Sequence, residues 1–294
     1  MPHLLWVMCL AATSLSSLRP SAPTPGALGT PVSLAQAPIP NQRQPEPQSV
    51  PANGDSAAVT VEAPRQPLPP PADASARDLE KAGDELRSQK AYNDAIEYYL
   101  AAIKKADSAE LHNKMGIAYL QLLQLKVAEK EFNRAIKMNR DYAEALNNLG
   151  VAFYMRKKYG KAIKEYEKAL KLSEISASFH SNLGMALFEK KEFDKASSEF
   201  MRALELDPQI FERQAQGGIA ARMASPEDRA RYAYTLARIY ARQGIYDRSL
   251  EYLKKAVEEG YAHINDVYKD EVFAGLRKDP RFAAVMTKTE PLPN

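Results

Sequence analysis

The stretch NNLGVAFYMRKKYGKAIKEYEKALKL, residues 147–172, recurs with substitutions on both of its sides. Residues 113–138 read NKMGIAYLQLLQLKVAEKEFNRAIKM, and residues 181–206 read SNLGMALFEKKEFDKASSEFMRALEL. The three copies align on glycines that stand 34 residues apart: Gly116, Gly150 and Gly184. Self-similarity at a fixed period of this size indicates helical repeats that stack on one another.

Each copy places the same residue types at fixed distances from its glycine. Twelve residues on stands an alanine: Ala128, Ala162 and Ala196. Sixteen residues on stands an aromatic: Phe132, Tyr166 and Phe200. Apolar residues follow helical spacing within each half, and a polar break such as KKYG at 157–160 separates the halves. A copy is therefore predicted to be two short antiparallel helices, with small residues where the backbones approach and the aromatic in the wedge between them.

This pattern, which ends in Pro208 in the third copy, resembles the tetratricopeptide repeat family. Weaker copies centred on Gly83 and Ala237 extend it in both directions. The resemblance implies an all-α, right-handed solenoid of about five helix pairs, in which the first helix of each pair lines a concave groove. Because one pair cannot bury its own apolar face, the pairs must stack and the last one needs a capping helix.

The predicted segments follow from this register. The four units that make up residues 75–210 have these bounds: 76–108, 109–142, 143–176 and 177–210. An insertion at 211–229, a fifth unit at 230–263 and a C-terminal cap at 264–290 follow. Inside the insertion, Ser225 is the expected N-cap of a helix that starts at Pro226. The insertion is either a binding loop or a spacer that lets the last pair re-dock.

The cap is expected to cover the end of the stack with a set of apolar side chains: Phe273, Leu276, Phe282, Val285 and Met286. A partner-binding helix is the alternative for this segment.

The first quarter of the chain differs in composition from the rest, since 14 of the 20 prolines lie between Pro20 and Pro71. We expect residues 38–74 to be a disordered Pro/Ala/Ser-rich linker, with a polyproline ligand as the alternative to a simple spacer. The apolar run at 4–18 has the length of a signal-peptide core and is short for a membrane span. Residues 1–37 are thus predicted to be a signal peptide or an uncleaved N-terminal anchor, and the protein to be exported to the periplasm or secreted. A cytoplasmic protein with an apolar start is the alternative.

The remaining composition gives no sign of enzyme chemistry. The net charge of +3 gives no reason to expect nucleic acid, and the only cysteine is Cys9, in the apolar run. No phosphate-binding glycine loop, nucleophile motif or zinc signature is present, so we expect no catalytic residue, no cofactor and no metal. His112 and His180 stand at equivalent positions two repeats apart and are expected to pack rather than to bind a metal.

The resemblance places a peptide-binding groove on exposed positions of the first helices. Its residues are Asn113, Ile117, Leu120, Asn147, Asn148, Val151, Tyr154, Met155, Asn182, Met185 and Phe188. In the family an asparagine at the position of Asn148 or Asn182 commonly contacts a ligand's peptide backbone. The alternative is that these side chains pack between repeats, or lie beneath the insertion or the cap.

The ligand of such a groove is only partly defined by the sequence. The cations with which the family clamps a terminal carboxylate are missing, so a chaperone tail is disfavoured. Arg231, Arg238 and Arg242 would make the groove of the last unit basic. The sequence therefore predicts a non-enzymatic adaptor of the bacterial cell envelope that binds helical or extended segments of other proteins over an apolar floor. The alternatives are a periplasmic holdase-type chaperone and an accessory subunit of an envelope enzyme complex.

Overall fold

The computed structural model of the protein describes residues 69–215 and 225–287 of the 294-residue chain. Within these ranges the chain forms twelve helices and no strand, and the helices pack in consecutive pairs. The predicted all-α solenoid is therefore confirmed. The N-terminal segment 1–37 and the glycine pair Gly217-Gly218 of the insertion lie outside the described residues.

The helices have the following bounds. The first four pairs are α1 (Ala76–Ser88) with α2 (Tyr92–Lys105), α3 (Ala109–Gln121) with α4 (Leu125–Met138), α5 (Ala143–Met155) with α6 (Tyr159–Leu172), and α7 (Ala177–Glu189) with α8 (Phe193–Leu206). A short helix, α9 (Ile210–Ala215), precedes the fifth pair, α10 (Pro226–Arg242) with α11 (Tyr246–Glu258). The end of the stack consists of three 3₁₀ turns (Ile264–Tyr268, Glu271–Phe273 and Leu276–Lys278) and α12 (Pro280–Met286).

The repeat glycines allow an aromatic ring of the second helix to lie directly on the first helix. A Cβ atom on Gly116 or Gly150 would lie 2.5 Å from the ring of Phe132 or Tyr166. The same close approach joins Gly83 to Tyr99 and Gly184 to Phe200, each at 2.6 Å. No side chain fits there unless the ring moves, so glycine and aromatic require each other. In the fifth pair the two positions hold Ala237 and Leu253, a larger and a smaller residue, and both are buried.

Each pair turns through one residue in the left-handed backbone region. In the first four pairs it is not a glycine: Lys90, Leu123, Lys157 and Lys191, with φ between 58° and 65°. In the fifth pair it is Gly244, with φ 73°. This conformation lets the next residue bond back to the first helix, as the Gln124 N–H does to the Tyr119 carbonyl at 2.9 Å.

The first and second helices of the internal pairs differ in burial. Helix α5 buries ten of its 13 residues, whereas α6 buries three of its 14. The first helices α1, α3, α5 and α7 contact one another side by side, and each also contacts its own second helix. They form an inner layer, and the second helices form an outer layer with one apolar and one polar face.

The fifth pair begins with a side-chain cap. Ser225 Oγ accepts a hydrogen bond of 3.1 Å from the Asp228 N–H, and Pro226 is the first helical residue, which confirms the predicted helix start. As a result, α10 already begins inside the segment 211–229 that the sequence assigns to an insertion. The C-terminal cap also forms as predicted: Phe273, Leu276, Phe282 and Met286 are buried in the main apolar cluster, with Val285 packed against it.

Candidate functional site

The structure brings the predicted groove residues together on α3, α5 and α7, but it buries most of them. Nine of the eleven are buried, and only Tyr154 and Met155 are partly exposed. The expectation that these positions are exposed is therefore wrong for the following residues: Asn113, Ile117, Leu120, Asn147, Asn148, Val151, Asn182, Met185 and Phe188.

The apolar members are buried because they belong to the main core of the solenoid. Ile117, Leu120, Val151, Met185 and Phe188 all lie in the apolar cluster that runs through the stacked repeats. The ring of Phe188, for example, packs edge-on against Tyr232 with ring centroids 5.8 Å apart. These contacts join neighbouring repeats, which is the packing role that the sequence left as an alternative.

The asparagines hydrogen-bond to one another across repeats. Asn148 Nδ2 donates to Asn113 Oδ1, and Asn182 Nδ2 donates to Asn147 Oδ1, both at 3.0 Å. Asn147 Nδ2 lies 3.3 Å from Asn148 Oδ1 and joins the two bonds into one row through three repeats. We call these four side chains the asparagine row. Because a buried amide is costly to leave unpaired, the row favours one register of repeat on repeat.

A tyrosine ends the asparagine row. Asn113 Nδ2 donates to the Tyr142 hydroxyl oxygen at 3.2 Å. Burial raises the pKa of Tyr142 to about 12, so its hydroxyl stays protonated at neutral pH.

The exposed part of the predicted groove is Tyr154 and Met155 at the C-terminal end of α5, which lie beside Tyr159 at the start of α6 and near Glu189 at the C-terminal end of α7. Tyr154 Oη donates to Glu189 Oε1 at 3.5 Å, and the Tyr154 ring tilts against Tyr159 with centroids 5.3 Å apart. Burial, together with the charge and hydrogen bond of Glu189, raises the pKa of Tyr159 to about 12. We call Tyr154, Met155, Tyr159 and Glu189 the aromatic edge. All four are partly exposed, so a partner can reach them.

At the other end of the inner layer, a buried lysine forms ion pairs with two carboxylates. Lys114 Nζ lies 2.6 Å from Glu80 Oε1 and 2.5 Å from Asp84 Oδ2. Asp84 also accepts a hydrogen bond of 2.8 Å from the Tyr99 hydroxyl. Since two carboxylates hold Lys114, it cannot serve as a free cation for a ligand's carboxylate.

The arginines of the last unit are also mostly engaged, which corrects the expectation of a basic groove there. The Arg231 guanidinium lies over the Phe193 ring at 4.6 Å, and Arg238 pairs with Asp270 at 2.6 Å. Arg242 is exposed, and it is the one of the three without an ion pair among the described residues. A single exposed cation does not make a basic groove.

The two equivalent histidines each pair with a glutamate nineteen residues on, across the two layers. The buried His112 has Nδ1 at 2.7 Å from Glu131 and Nε2 at 2.8 Å from Asp107. His180 has Nδ1 at 2.6 Å from Glu199. Burial alone would lower the pKa of His180, but its hydrogen bonds to Glu199 and to the Glu174 carbonyl raise it overall. The described residues hold no cluster of His, Cys, Asp and Glu suited to a metal ion.

Sequence reasoning missed the asparagine row, the Lys114 pairs and the part of Tyr159 in the aromatic edge. A signal for the row was present, because Asn113 and Asn148, like Asn147 and Asn182, stand 35 residues apart, one residue more than the repeat. Polar residues that recur at this distance on the buried layer indicate contact between neighbouring repeats. The Lys114 pairs leave no such pattern, because only one repeat carries them.

Family models of the tetratricopeptide repeat match residues 113–174, 177–210 and 230–259. The chain is a tetratricopeptide repeat protein. Proteins with this fold are typically non-enzymatic scaffolds that bind other proteins. Among the residues that the structure describes, no helix is long and apolar enough to span a membrane.

Several solved tetratricopeptide structures are similar to the chain. MamA of Desulfovibrio magneticus is 18% identical with a TM-score of 0.46, and the match covers 63% of this chain and 94% of that one. A thermophilic repeat protein of Thermus thermophilus is 19% identical with a TM-score of 0.45, covering 72% and 100%. The second repeat domain of human RPAP3, solved with an HSP70 peptide, is 25% identical with a TM-score of 0.36, covering 38% and 93%. No curated protein matches the chain.

Proposed function

We propose that this tetratricopeptide repeat protein is a non-enzymatic adaptor of the bacterial cell envelope, which binds helical or extended segments of other proteins at its inner layer. The aromatic edge carries the proposal. There two residues of the predicted groove, Tyr154 and Met155, reach solvent beside Tyr159 and a hydrogen-bond acceptor, Glu189.

The residue types of the aromatic edge suit a protein interface. Tyrosine and methionine are enriched in the cores of interfaces, because each offers a large apolar contact area. The unbranched Met155 side chain can adapt to different partner surfaces. Since the deeper asparagines already bond to one another, a partner would contact the edge first.

Export is the second part of the proposal, and it rests on the apolar run at residues 4–18. Fractionation of the native cells, with mass spectrometry of the mature N-terminus, tests it. A chain in the envelope fraction, either cleaved near residue 37 or retained at the membrane, would support the proposal. An intact chain in the cytoplasmic fraction would contradict it.

The binding site is tested by affinity capture from envelope extracts with the tagged full-length chain. The variant is Tyr154→Ala with Met155→Ala, and the control is Lys168→Ala, an exposed residue on the outer side of α6. We expect one or two proteins held by the parent and the control and lost by the variant, provided that the variant melts within a few degrees of the parent.

Other outcomes of the capture would contradict the adaptor. Retention of the same proteins by the variant would place binding elsewhere. Retention of many unrelated unfolded chains would indicate a holdase, and constant copurification with one enzyme would indicate an accessory subunit.

A further inference from the structure

The loops that enter the second, third and fourth repeats (α3–α4, α5–α6 and α7–α8) are held in two different ways. The loop before α5 ends in Tyr142, which is 4% exposed and accepts a hydrogen bond from Asn113. Tyr142 stands eight residues before its repeat glycine, and at the same position the loops before α3 and α7 have Ser108 and Ser176. A serine has no ring to bury, so these two loops lack the packing that Tyr142 provides.

A histidine accompanies each of these two serines. Four residues after the serine stand His112 in the second repeat and His180 in the fourth, whereas the third repeat has the apolar Leu146 after its tyrosine. Each histidine contacts a glutamate of its own second helix with Nδ1 and the loop before its repeat with Nε2. The loop atom is Asp107 Oδ1 for His112, at 2.8 Å, and the Glu174 carbonyl oxygen for His180, at 3.0 Å. The histidines therefore replace the tyrosine as the contact between loop and repeat.

The loop before α7, residues 173–176, has few other contacts to hold it. Ile175 is 77% exposed, so its side chain adds little packing. Ser176 precedes α7 but does not cap the helix with its side chain. Within the part of the chain that the structure describes, Glu174 and Ile175 in the middle of the loop form one hydrogen bond, the one from His180. The position of this loop on its repeat therefore depends on His180.

The two contacts of His180 are both satisfied only when its ring is protonated. Nδ1 lies 2.6 Å from Glu199 Oε2 and Nε2 lies 3.0 Å from the Glu174 carbonyl oxygen, and an ionised carboxylate and a carbonyl only accept hydrogen bonds. An imidazolium donates to both, whereas a neutral imidazole has a single N–H. The neutral ring would keep its proton on Nδ1, because a hydrogen bond to a carboxylate is stronger than one to a carbonyl. The Nε2 lone pair would then face the carbonyl oxygen of Glu174 and repel it.

The groups around His180 keep the ring protonated to a higher pH than in a free histidine. Burial lowers its pKa, but the hydrogen bonds to Glu199 and to the Glu174 carbonyl, together with the charge of Glu199, raise the pKa overall. Arg202 of α8 lowers the pKa, and its own guanidinium pairs with Glu205 at 3.1 Å. The charged side chains that act on the ring thus come from α8, and the loop contributes a backbone carbonyl.

We propose that His180 is a pH-sensitive clamp, whose imidazolium holds the loop at residues 173–176 on α8 and whose deprotonation releases that loop. Because the loop joins the third repeat to the fourth, its release loosens the connection between these repeats. The clamp is closed at low pH and opens as the pH rises through the raised pKa of His180. It does not depend on the binding function proposed above, since neither Glu174 nor Glu199 belongs to the aromatic edge.

The test uses the full chain, labelled with ¹³C and ¹⁵N, in ¹³C-detected NMR spectra that do not depend on amide protons. The signal that joins the Glu174 carbonyl to the Ile175 nitrogen reports the loop, and the ring nitrogens of His180 report its protonation. Both are followed from pH about 5.5 to pH about 9. The control signal is the carbonyl of Arg140, which stands at the position of Glu174 in the loop that Tyr142 holds.

Two variants separate the clamp from a general effect of pH. His180→Leu gives the fourth repeat the residue type that the third has in Leu146, and it removes the clamp at every pH. Glu199→Gln keeps an oxygen that can accept from Nδ1 but removes the charge, which lowers the pKa of His180. Melting temperatures show whether each variant is folded, and Glu199→Gln carries the test if His180→Leu is not.

We expect the Glu174 carbonyl signal of the parent to shift with the same midpoint as the His180 ring, and the nitrogen relaxation of Ile175 to report larger motion above that midpoint. The Arg140 carbonyl should not shift. In Glu199→Gln both midpoints should move together to lower pH, and in His180→Leu the shift should be absent. A Glu174 signal that does not follow the titration of His180, a loop that loosens as the pH falls, or an unchanged midpoint in Glu199→Gln would each overturn the proposal.

Discussion

Each repeat contributes one helix to the inner layer and one to the outer layer of the solenoid, but the two layers differ in how many of their side chains are buried. Helix α5 of the inner layer buries ten of 13 residues, and its asparagines bond to those of α3 and α7. Helix α6 of the outer layer buries only three of its 14 residues. The difference teaches that a position facing the groove by family pattern need not be available to a ligand, because the stacking of neighbouring repeats can bury it.

Substitutions of the aromatic rings between the two layers should have the largest effect on the free energy of unfolding. Phe132→Ala or Tyr166→Ala should lower the free energy of unfolding by about 3–5 kcal/mol, because each ring is fully buried between two helices. Tyr154→Ala, at the partly exposed aromatic edge, should cost less, about 1 kcal/mol. Chemical denaturation measures all three. Equal losses would mean that the aromatic edge is core and that the two layers do not differ there.

Two substitutions convert the glycine–aromatic pair of the third unit into the alanine–leucine pair that the fifth unit has at the same positions. Gly150→Ala should cost about 1–3 kcal/mol, because the new methyl group overlaps the Tyr166 ring. Tyr166→Leu in the same chain should recover part of that loss, since Ala237 and Leu253 occupy these positions in the fifth pair. A double-mutant cycle measures the coupling. Additive losses would show that the two positions do not constrain each other.

The His180–Glu199 pair between the layers should make stability depend on pH. The folded pKa of His180 is raised, so the pair stabilises fully below the unfolded pKa and its contribution is lost as the pH rises through the folded value. His180→Gln should therefore cost up to about 1 kcal/mol at pH about 5.5 and less at pH about 8.5. A cost that grows with pH would contradict the assignment of the charged pair.

A substitution in the turn between the two helices of a pair should have the smallest effect on the free energy of unfolding. Leu123 is 46% exposed and has φ 59°, so Leu123→Gly removes backbone strain and little packing. We expect a gain of about 0.5 kcal/mol in the free energy of unfolding. Lys126→Gly, inside α4, is the matched control and should lower it by a similar amount. A loss at both positions would mean that the Leu123 side chain contributes more than its exposure suggests.

The sequence predicted the features that a single repeat determines by itself. Gly150 against Tyr166 and the Ser225 cap each involve residues close in the chain, so their spacing was sufficient. It did not predict exposure on the inner layer, because the burial of a residue such as Val151 depends on how neighbouring repeats stack. The Lys114 pairs were missed for the opposite reason: only one repeat carries them, and a search for what recurs passes over them.

The asparagine row tests the account most directly, because the family pattern assigns Asn148 to a ligand and the structure pairs it with Asn113. The measurement is the free energy of unfolding of Asn113→Ala, Asn148→Ala and the double variant. We expect each single change to cost about 1–3 kcal/mol, with a coupling of about 1 kcal/mol between them. Wild-type stability in both single variants, with no coupling, would show that the row does not hold the repeats together and would return these asparagines to the binding groove.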